Sequence, residues 1–424
     1  MKNIYYIVLL FILVACEDKN QVTHEYSRPY TVSKEYPIQL DVRDILVDIQ
    51  VKSPVNPNTT FKIVVTDKYI FVGEMMKGVH VYEKADEFHT IPLCFIECKC
   101  IKAFDVADNM LYCNNFVDLL VVDVADPLQS KIIHRAKNYF NNYMSNSSFN
   151  FQVLYNSSIF DIVYVLGYEQ VVLAGITTET EMIPIPDFTE FDVRYGNMIV
   201  TGIDNIYQTD KPYVGIINVE GNIFTLGDSS LNQCSYVSDW LNIKRSAIAI
   251  PDYLSVMPTN NLQYKDGMIF IIGENGRGFI SMDYHNQKQD YQWGYRKLLD
   301  VVSLQKPANS FAQLTQYDYY QGWTYNIVIA KDGAFLQEVL EQTTAYNMIN
   351  VNDTLLVLGS SQLTLHRTNF SAISWDLVKI EQVKKYPAIS GTSMLKDGNK
   401  LIVANRQGLL FYDISDLDNI MLIR

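Results

Sequence analysis

The chain has 424 residues, 47 acidic against 34 basic side chains, and a formal net charge of −13. An acidic chain with no cluster of Lys and Arg repels phosphate backbones, which excludes nucleic acid as an expected partner. The chain is also longer than the ~100–200 residues of an ordinary domain, so it calls for several domains or for a repeat architecture that grows by adding units.

In chain order, Met1-Lys2-Asn3 carries one positive charge ahead of a 12-residue apolar run, Ile4 to Ala15. The run falls short of the ~20 apolar residues that a helix needs to cross a bilayer. A short basic start, an apolar core and a small residue at its end describe a signal peptide over residues 1–15. Leu13-Val14-Ala15-Cys16 resembles the lipobox of bacterial lipoproteins. That resemblance implies cleavage before Cys16 and a diacylglycerol on its thiol, hence a membrane partner reached through a lipid anchor. The alternative is an ordinary secretory peptide in which Cys16 falls by chance. A single acyl chain binds membranes only marginally; a lipobox cysteine, by resemblance, carries two or three. Glu17-Asp18-Lys19 is similar to the surface-export signal of Bacteroidetes lipoproteins. It implies display on the outer surface of the outer membrane, with the periplasmic face as the alternative. Polar, mixed residues then read as a tether, placing the lipidated tether at 16–35 and the folded body at 36–424.

The body reads as all-β. Short runs rich in Val, Ile, Tyr and Phe recur between Gly, Asn, Asp and Pro turns, as in Leu119-Leu120-Val121-Val122 and Met268-Ile269-Phe270-Ile271-Ile272. Asn109 to Asp126 aligns without a gap on Asn399 to Asp416, each a strand, a turn and a second strand. Lys68 to Asp86 and Gly267 to Asp283 fit the same template, and Thr354 to His366 fits it more weakly. The spacing of these units, near 40–45 residues, matches a four-stranded propeller blade. Blades stacked radially bury one another's faces and leave only short edges. The expected fold is therefore a β-propeller of four-stranded antiparallel blades, seven in number, with six or eight as alternatives. The pattern blurs between Ala136 and Pro184, which reads as a degenerate blade or an insertion, and again between Ser229 and Asn261.

Leu120-Val121-Val122-Asp123-Val124-Ala125-Asp126-Pro127 and Leu410-Phe411-Tyr412-Asp413-Ile414-Ser415-Asp416 resemble the LVIVD-repeat bacterial lipoproteins, and Gly78-Val79-His80-Val81-Tyr82 is similar to an early repeat. The resemblance is strong over 61–134 and 392–424. It implies a propeller-like fold on a lipid tether and no established reaction. Cys98-Lys99-Cys100 departs from it, standing where relatives tend to have a Pro-Gly turn. The repeat Asp reads as a turn residue whose carboxylate accepts backbone N–H groups two residues on, rather than as a calcium ligand, since calcium needs several oxygens at one point.

Candidate chemistry is sparse. Cys94, Cys98, Cys100 and Cys113 cluster, with Cys234 apart. In one strand Cys94, Cys98 and Cys100 would share a face. Three readings stand: buried apolar thiols, one disulfide in an oxidising compartment, or a zinc site whose spacing is not among the usual ones. The histidines are scattered, no catalytic motif occurs, and no cofactor or catalytic residue is assigned. Glu274-Asn275-Gly276-Arg277-Gly278 reads as a hairpin turn. Tyr291, Trp293, Tyr295, Tyr317, Tyr319, Tyr320, Trp323 and Tyr325 read first as blade packing and second as a platform for sugars. Two functions follow: a binding or scaffold module for an envelope protein or glycan, and a propeller acting on polysaccharide, for which two carboxylates at a set separation would be required.

Overall fold

The computed structural model describes residues 30–41, 48–140, 162–183, 215–249 and 262–423, except 76, 100, 116–117, 138, 167–169, 228–229, 238–239, 273–278, 287–288, 293–296, 306–309, 320–321, 332–333, 341–343 and 370–378. The chain divides into two compact units, one of residues 1–38 with 175–208 and one of 39–174 with 209–424. The second unit is a β-propeller of seven antiparallel four-stranded blades, formed by residues 60–97, 104–136, 215–249, 262–292, 297–339, 347–386 and 393–422. Within the described residues the only helical element is a 3-10 turn, Pro127–Gln129, capped by Asp126, whose carboxylate accepts the Leu128 N–H. No helix among them is long and apolar enough to cross a membrane.

The repeat seen in the sequence is the pair of central strands of each blade. Met110–Asn115 pairs with Asp118–Asp123, and Lys400–Asn405 pairs with Gly408–Asp413. These strands lie between two other strands and between two neighbouring blades, so both faces are covered. Leu119, Leu120, Val121 and Val122 are all fully buried, which explains a continuous apolar run in place of alternation. In four of the blades the hairpin between the first two strands takes left-handed backbone at two successive residues. Asp108-Asn109, Glu220-Gly221, Asp266-Gly267 and Asn352-Asp353 supply it, all with positive φ. The recurrence of Asn or Gly at the start of the repeat and Asp near its end also has a structural cause. The residue after the repeat Asp donates back to the start of the unit: Val124 N–H to the Asn109 carbonyl, Tyr284 to Gly267 and Ile414 to Asn399, at 2.8–3.1 Å.

The blurred segments resolve differently. Ser230–Val237 and Trp240–Ala249 are the two outer strands of the third blade. Between Ala136 and Pro184, the described strands Ile162–Leu166 and Gln170–Ile183 pair with each other, and the latter pairs with Tyr30–Asp41, in a three-stranded sheet outside the seven blades. Tyr30–Asp41 begins inside the stretch read as tether; apolar residues at 30, 32, 36, 38 and 40 give it the period of two that a strand requires. The signal peptide, Cys16 and Glu17-Asp18-Lys19 lie outside the described residues.

All four strands of every blade are consecutive in sequence, so the ring closes without a strand exchanged between its ends. At this seam Thr60 Oγ1 lies 2.5 Å from Thr392 Oγ1 and 2.8 Å from Ser393 Oγ, and the Thr60 N–H donates to Thr392 Oγ1 at 3.1 Å. Below the hydroxyls, Ile63, Ile70, Val72 and Tyr82 of the first blade pack on Ile402, Ala404 and Phe411 of the last. Gln50–Lys52 adds a fifth strand to the outer edge of the first blade and so protects it.

Candidate functional site

The seven innermost strands are Thr60–Val65, Phe104–Ala107, Gly215–Val219, Leu262–Lys265, Lys297–Leu304, Asn347–Val351 and Ser393–Asp397. They enclose a central channel with a cavity of about 410 Å³. That volume lies in the range of small-ligand sites.

Two Lys–Asp pairs are built into the channel wall, and they repeat. In the first, Lys62 Nζ of blade one lies 2.6 Å from Asp105 Oδ2 of blade two and donates to the Ile216 carbonyl of blade three at 3.1 Å. Asp105 also accepts the N–H groups of Val106 and Asn218, each at 2.8 Å. In the second, Lys265 Nζ of blade four lies 2.5 Å from Asp300 Oδ1 of blade five, and Asp300 accepts the N–H groups of Val301 and, in blade six, Met348, each at 2.8 Å. Asn218 Nδ2 donates to the Val106 carbonyl and Asn350 Nδ2 to the Ser303 carbonyl, each at 2.7 Å. Each Asp thus ties three successive blades together. Both carboxylates are buried, at 6% and 1% exposure, and their oxygens are occupied by lysine and backbone donors. They serve as fixed pins between blades.

The rest of the wall mixes apolar side chains, such as Phe61, Leu262 and Met394, with polar ones that are less fully paired. Asn347 Oδ1 and Asn350 Oδ1 are buried acceptors with no hydrogen-bond donor. Lys396 lines the cavity and is exposed. The Tyr264 hydroxyl donates to Glu220 Oε1 at 3.0 Å, and burial, then that carboxylate, push its phenol up to about 12.

A second polar cluster lies on blade one, on the strands next to the seam. Glu74 Oε2 lies 2.7 Å from His80 Nε2 and Glu74 Oε1 lies 2.7 Å from Lys77 Nζ. His80 and Glu74 are 2% and 3% exposed, and the His80 ring packs on Phe95 at 4.8 Å. Burial pulls the Glu74 carboxyl upward, but the hydrogen bonds from His80 and Lys77 outweigh it and hold the group below the usual carboxylate range. Glu74 is the cross-strand partner of Thr60, so this cluster adjoins the seam hydroxyls.

Solved structures resemble the chain along most of its length. Hsv2 from Kluyvelomyces marxianus shares 8% identity over 87% of this chain and 98% of that one, with a TM-score of 0.43. The WD40 β-propeller domain of Doa1 shares 10% over 85% and 95%, at 0.42, and BamB from Moraxella catarrhalis shares 9% over 86% and 98%, at 0.40. No family model and no curated protein sequence matches. At such identity these likenesses bear on fold alone, and the blade architecture is read from the sheets themselves.

The residues singled out by sequence fall into place unevenly. The repeat Asp residues cap turns: Asp123 accepts from the Ala125 N–H at 3.1 Å, Asp283 from His285 and Asn286 at 3.0 Å, and Asp413 from Ser415 at 2.8 Å. Cys94, Cys98, Cys113 and Cys234 are buried free thiols, and Cys100 lies outside the described residues. Cys94 lies within the strand Thr90–Glu97 and Cys98 just past its end, so the two do not share one strand face as the spacing suggested. The histidines do not converge: His89 pairs with Asp86, His134 packs on Tyr236, His285 approaches Glu220 and His366 contacts Thr364. Of the aromatic series, Tyr325 packs in the core between blades five and six, and the other side chains lie outside the described ones. So does the turn at Glu274–Gly278, although the strands it joins pair Ile272 with Phe279. The bridging residues Lys62, Asp105, Lys265 and Asp300 were missed. Their signal is a lone carboxylate inside an apolar strand, in Phe104-Asp105-Val106 and Leu299-Asp300-Val301.

Proposed function

We propose that this chain is an envelope lipoprotein of the LVIVD-repeat type, anchored through lipid on Cys16, whose propeller is a binding or scaffold module. The observation that carries the reading is the channel wall. Its two buried carboxylates are saturated by blade-bridging donors, which suits a rigid recognition ring better than acid–base work. Lipid on Cys16 would hold that ring at the membrane surface, facing outward if the acidic residues after Cys16 direct export. The partner would be a second envelope protein engaging loops around the channel. The bait for the test is the full chain lipidated on Cys16, used against solubilised membranes. A specific protein should be enriched over a matrix carrying no bait; recovery no better than that control would count heavily against the reading. Metabolic labelling with a fatty-acid analogue, lost in Cys16→Ser, tests the anchor separately.

A second reading, glycan binding, is favoured by the two undonated amide oxygens of Asn347 and Asn350 in the channel wall. Sugar hydroxyls would supply the missing donors. Calorimetry with cell-surface oligosaccharides should show binding weakened at least tenfold by Asn347→Leu, and no heat with any oligosaccharide would remove it.

A further inference from the structure

Three facts converge on the crossover from the first blade to the second. Cys98, the first residue after the strand Thr90–Glu97, places its Sγ 4.0 Å from Sγ of Cys113 in the strand Met110–Asn115. Both side chains are buried, at 3% and 0% exposure. The backbone on either side is fastened. Asn115 Nδ2 donates to the Lys99 carbonyl at 2.7 Å, Asn114 Oδ1 accepts the N–H groups of Lys102 and Ala103 at 2.8 and 2.9 Å, and Asn114 N–H donates to the Ala103 carbonyl at 3.2 Å. The two sulfurs are therefore in van der Waals contact across a pinned frame. Closing an S–S bond of ~2.05 Å from this contact requires side-chain rotation and a small adjustment of the crossover. The other described thiols have different neighbours: Cys94 Sγ faces the Pro127 carbonyl, and Cys234 faces Tyr139 and Thr225.

We infer that Cys98 and Cys113 form a disulfide that staples the crossover between the first two blades to the core of the second. The occurrence of the bond in the cell rests on the proposed export, because disulfides persist in oxidising compartments; the pairing itself does not. The step is thiol–disulfide exchange with a low-molecular-weight disulfide or a disulfide oxidoreductase. One cysteine thiolate attacks the oxidant's disulfide and releases one oxidant thiol. The second cysteine then attacks the mixed disulfide and releases the other, so two electrons and both thiol protons end on the oxidant. In the folded, reduced protein the hydrogen bond to Cys113 and burial hold the Cys98 thiol well above its ordinary value. Exchange from the folded state is accordingly slow, and the bond closes while the second blade is forming. Once closed and buried, it resists reductants.

The test compares the full chain recovered from an exporting host with the full Cys16→Ser chain made in a reducing cytoplasm. The latter is also unfolded and refolded with oxidised and reduced glutathione. Thiols are alkylated after denaturation and the pairing is mapped. Trypsin cuts after Lys99 and Lys102, which separates Cys98 from Cys100 and both from Cys113, and a glutamyl protease cutting after Glu97 separates Cys94 from Cys98. A Cys98–Cys113 link in both samples, lost in Cys98→Ser and in Cys113→Ser but kept in Cys100→Ser, is the expected result. A link in the refolded chain alone would keep the pairing and overturn the export reading. A link through Cys94 or Cys100 instead, or six alkylated positions less only Cys16 in the refolded chain, would overturn the inference.

Discussion

The bridged interfaces and the closing seam join blades by different physics. Within blades one to three and four to six, one buried carboxylate takes a lysine from the blade before it and a backbone N–H from the blade after it. At the seam, neutral hydroxyls of Thr60, Thr392 and Ser393 meet above an apolar patch, and no strand crosses from one end of the chain to the other. A saturated buried carboxylate is costly to disturb, because the backbone N–H groups it held are left without an acceptor and the lysine without its counter-charge. A hydroxyl exchanged for water loses far less. The ring is therefore held harder inside each group of three blades than where its ends meet.

The largest effect that would break this comparison is expected at Asp300. Asp300→Ala should lower the unfolding free energy by about 3–5 kcal/mol, read from the denaturant midpoint, because it removes the counter-charge of Lys265 and leaves the N–H groups of Val301 and Met348 without an acceptor. Asp105→Ala should behave alike. A loss from either no greater than that of a surface substitution would show that the pins carry no load. Next comes the seam: Thr60→Val should cost about 1–2 kcal/mol, since the Thr392 and Ser393 hydroxyls can still find each other or water.

A smaller effect is expected from pH. The Glu74 carboxyl is held below its ordinary value by His80 and Lys77. A group with a depressed folded value adds stability above its unfolded pKa, and that contribution is lost as pH falls through the folded value. Stability should thus fall on acidification below about pH 4, and Glu74→Gln should flatten this part of the profile. An unchanged acid limb would separate Glu74 from the seam's stability. The smallest effect is expected at the exposed turn caps. Asp413→Asn keeps an acceptor for the Ser415 N–H and should leave the melting temperature nearly unchanged.

What could be read from the sequence follows from burial. The central strands are covered on both faces, so Leu119 to Val122 and Leu401 to Val403 stand out as apolar runs bounded by turn residues, and the blade period follows from them. The inner strands are shorter and carry polar residues, as in Phe104–Ala107 with Asp105 at its centre. That hides them from any search for periodicity. The outer strands of the third blade, with Trp240 and Val237 exposed, lose the pattern for the opposite reason. The bridges were illegible because Lys62, Asp105 and Asn218 are brought together only by the ring, while the turn role of Asp123 and Asp413 is local and was readable.

Hydrogen exchange of three amides tests the account most directly. Asn218 and Met348 donate to the pinned carboxylates, whereas Thr60 donates to the hydroxyl of Thr392 across the seam. The amide of Thr60 should exchange through local opening, well ahead of the other two, and Thr60→Val should widen the gap without speeding Asn218 or Met348. A single common rate for all three, or slower exchange at Thr60 than at the bridges, would contradict a ring held more lightly at its closure than at its bridges.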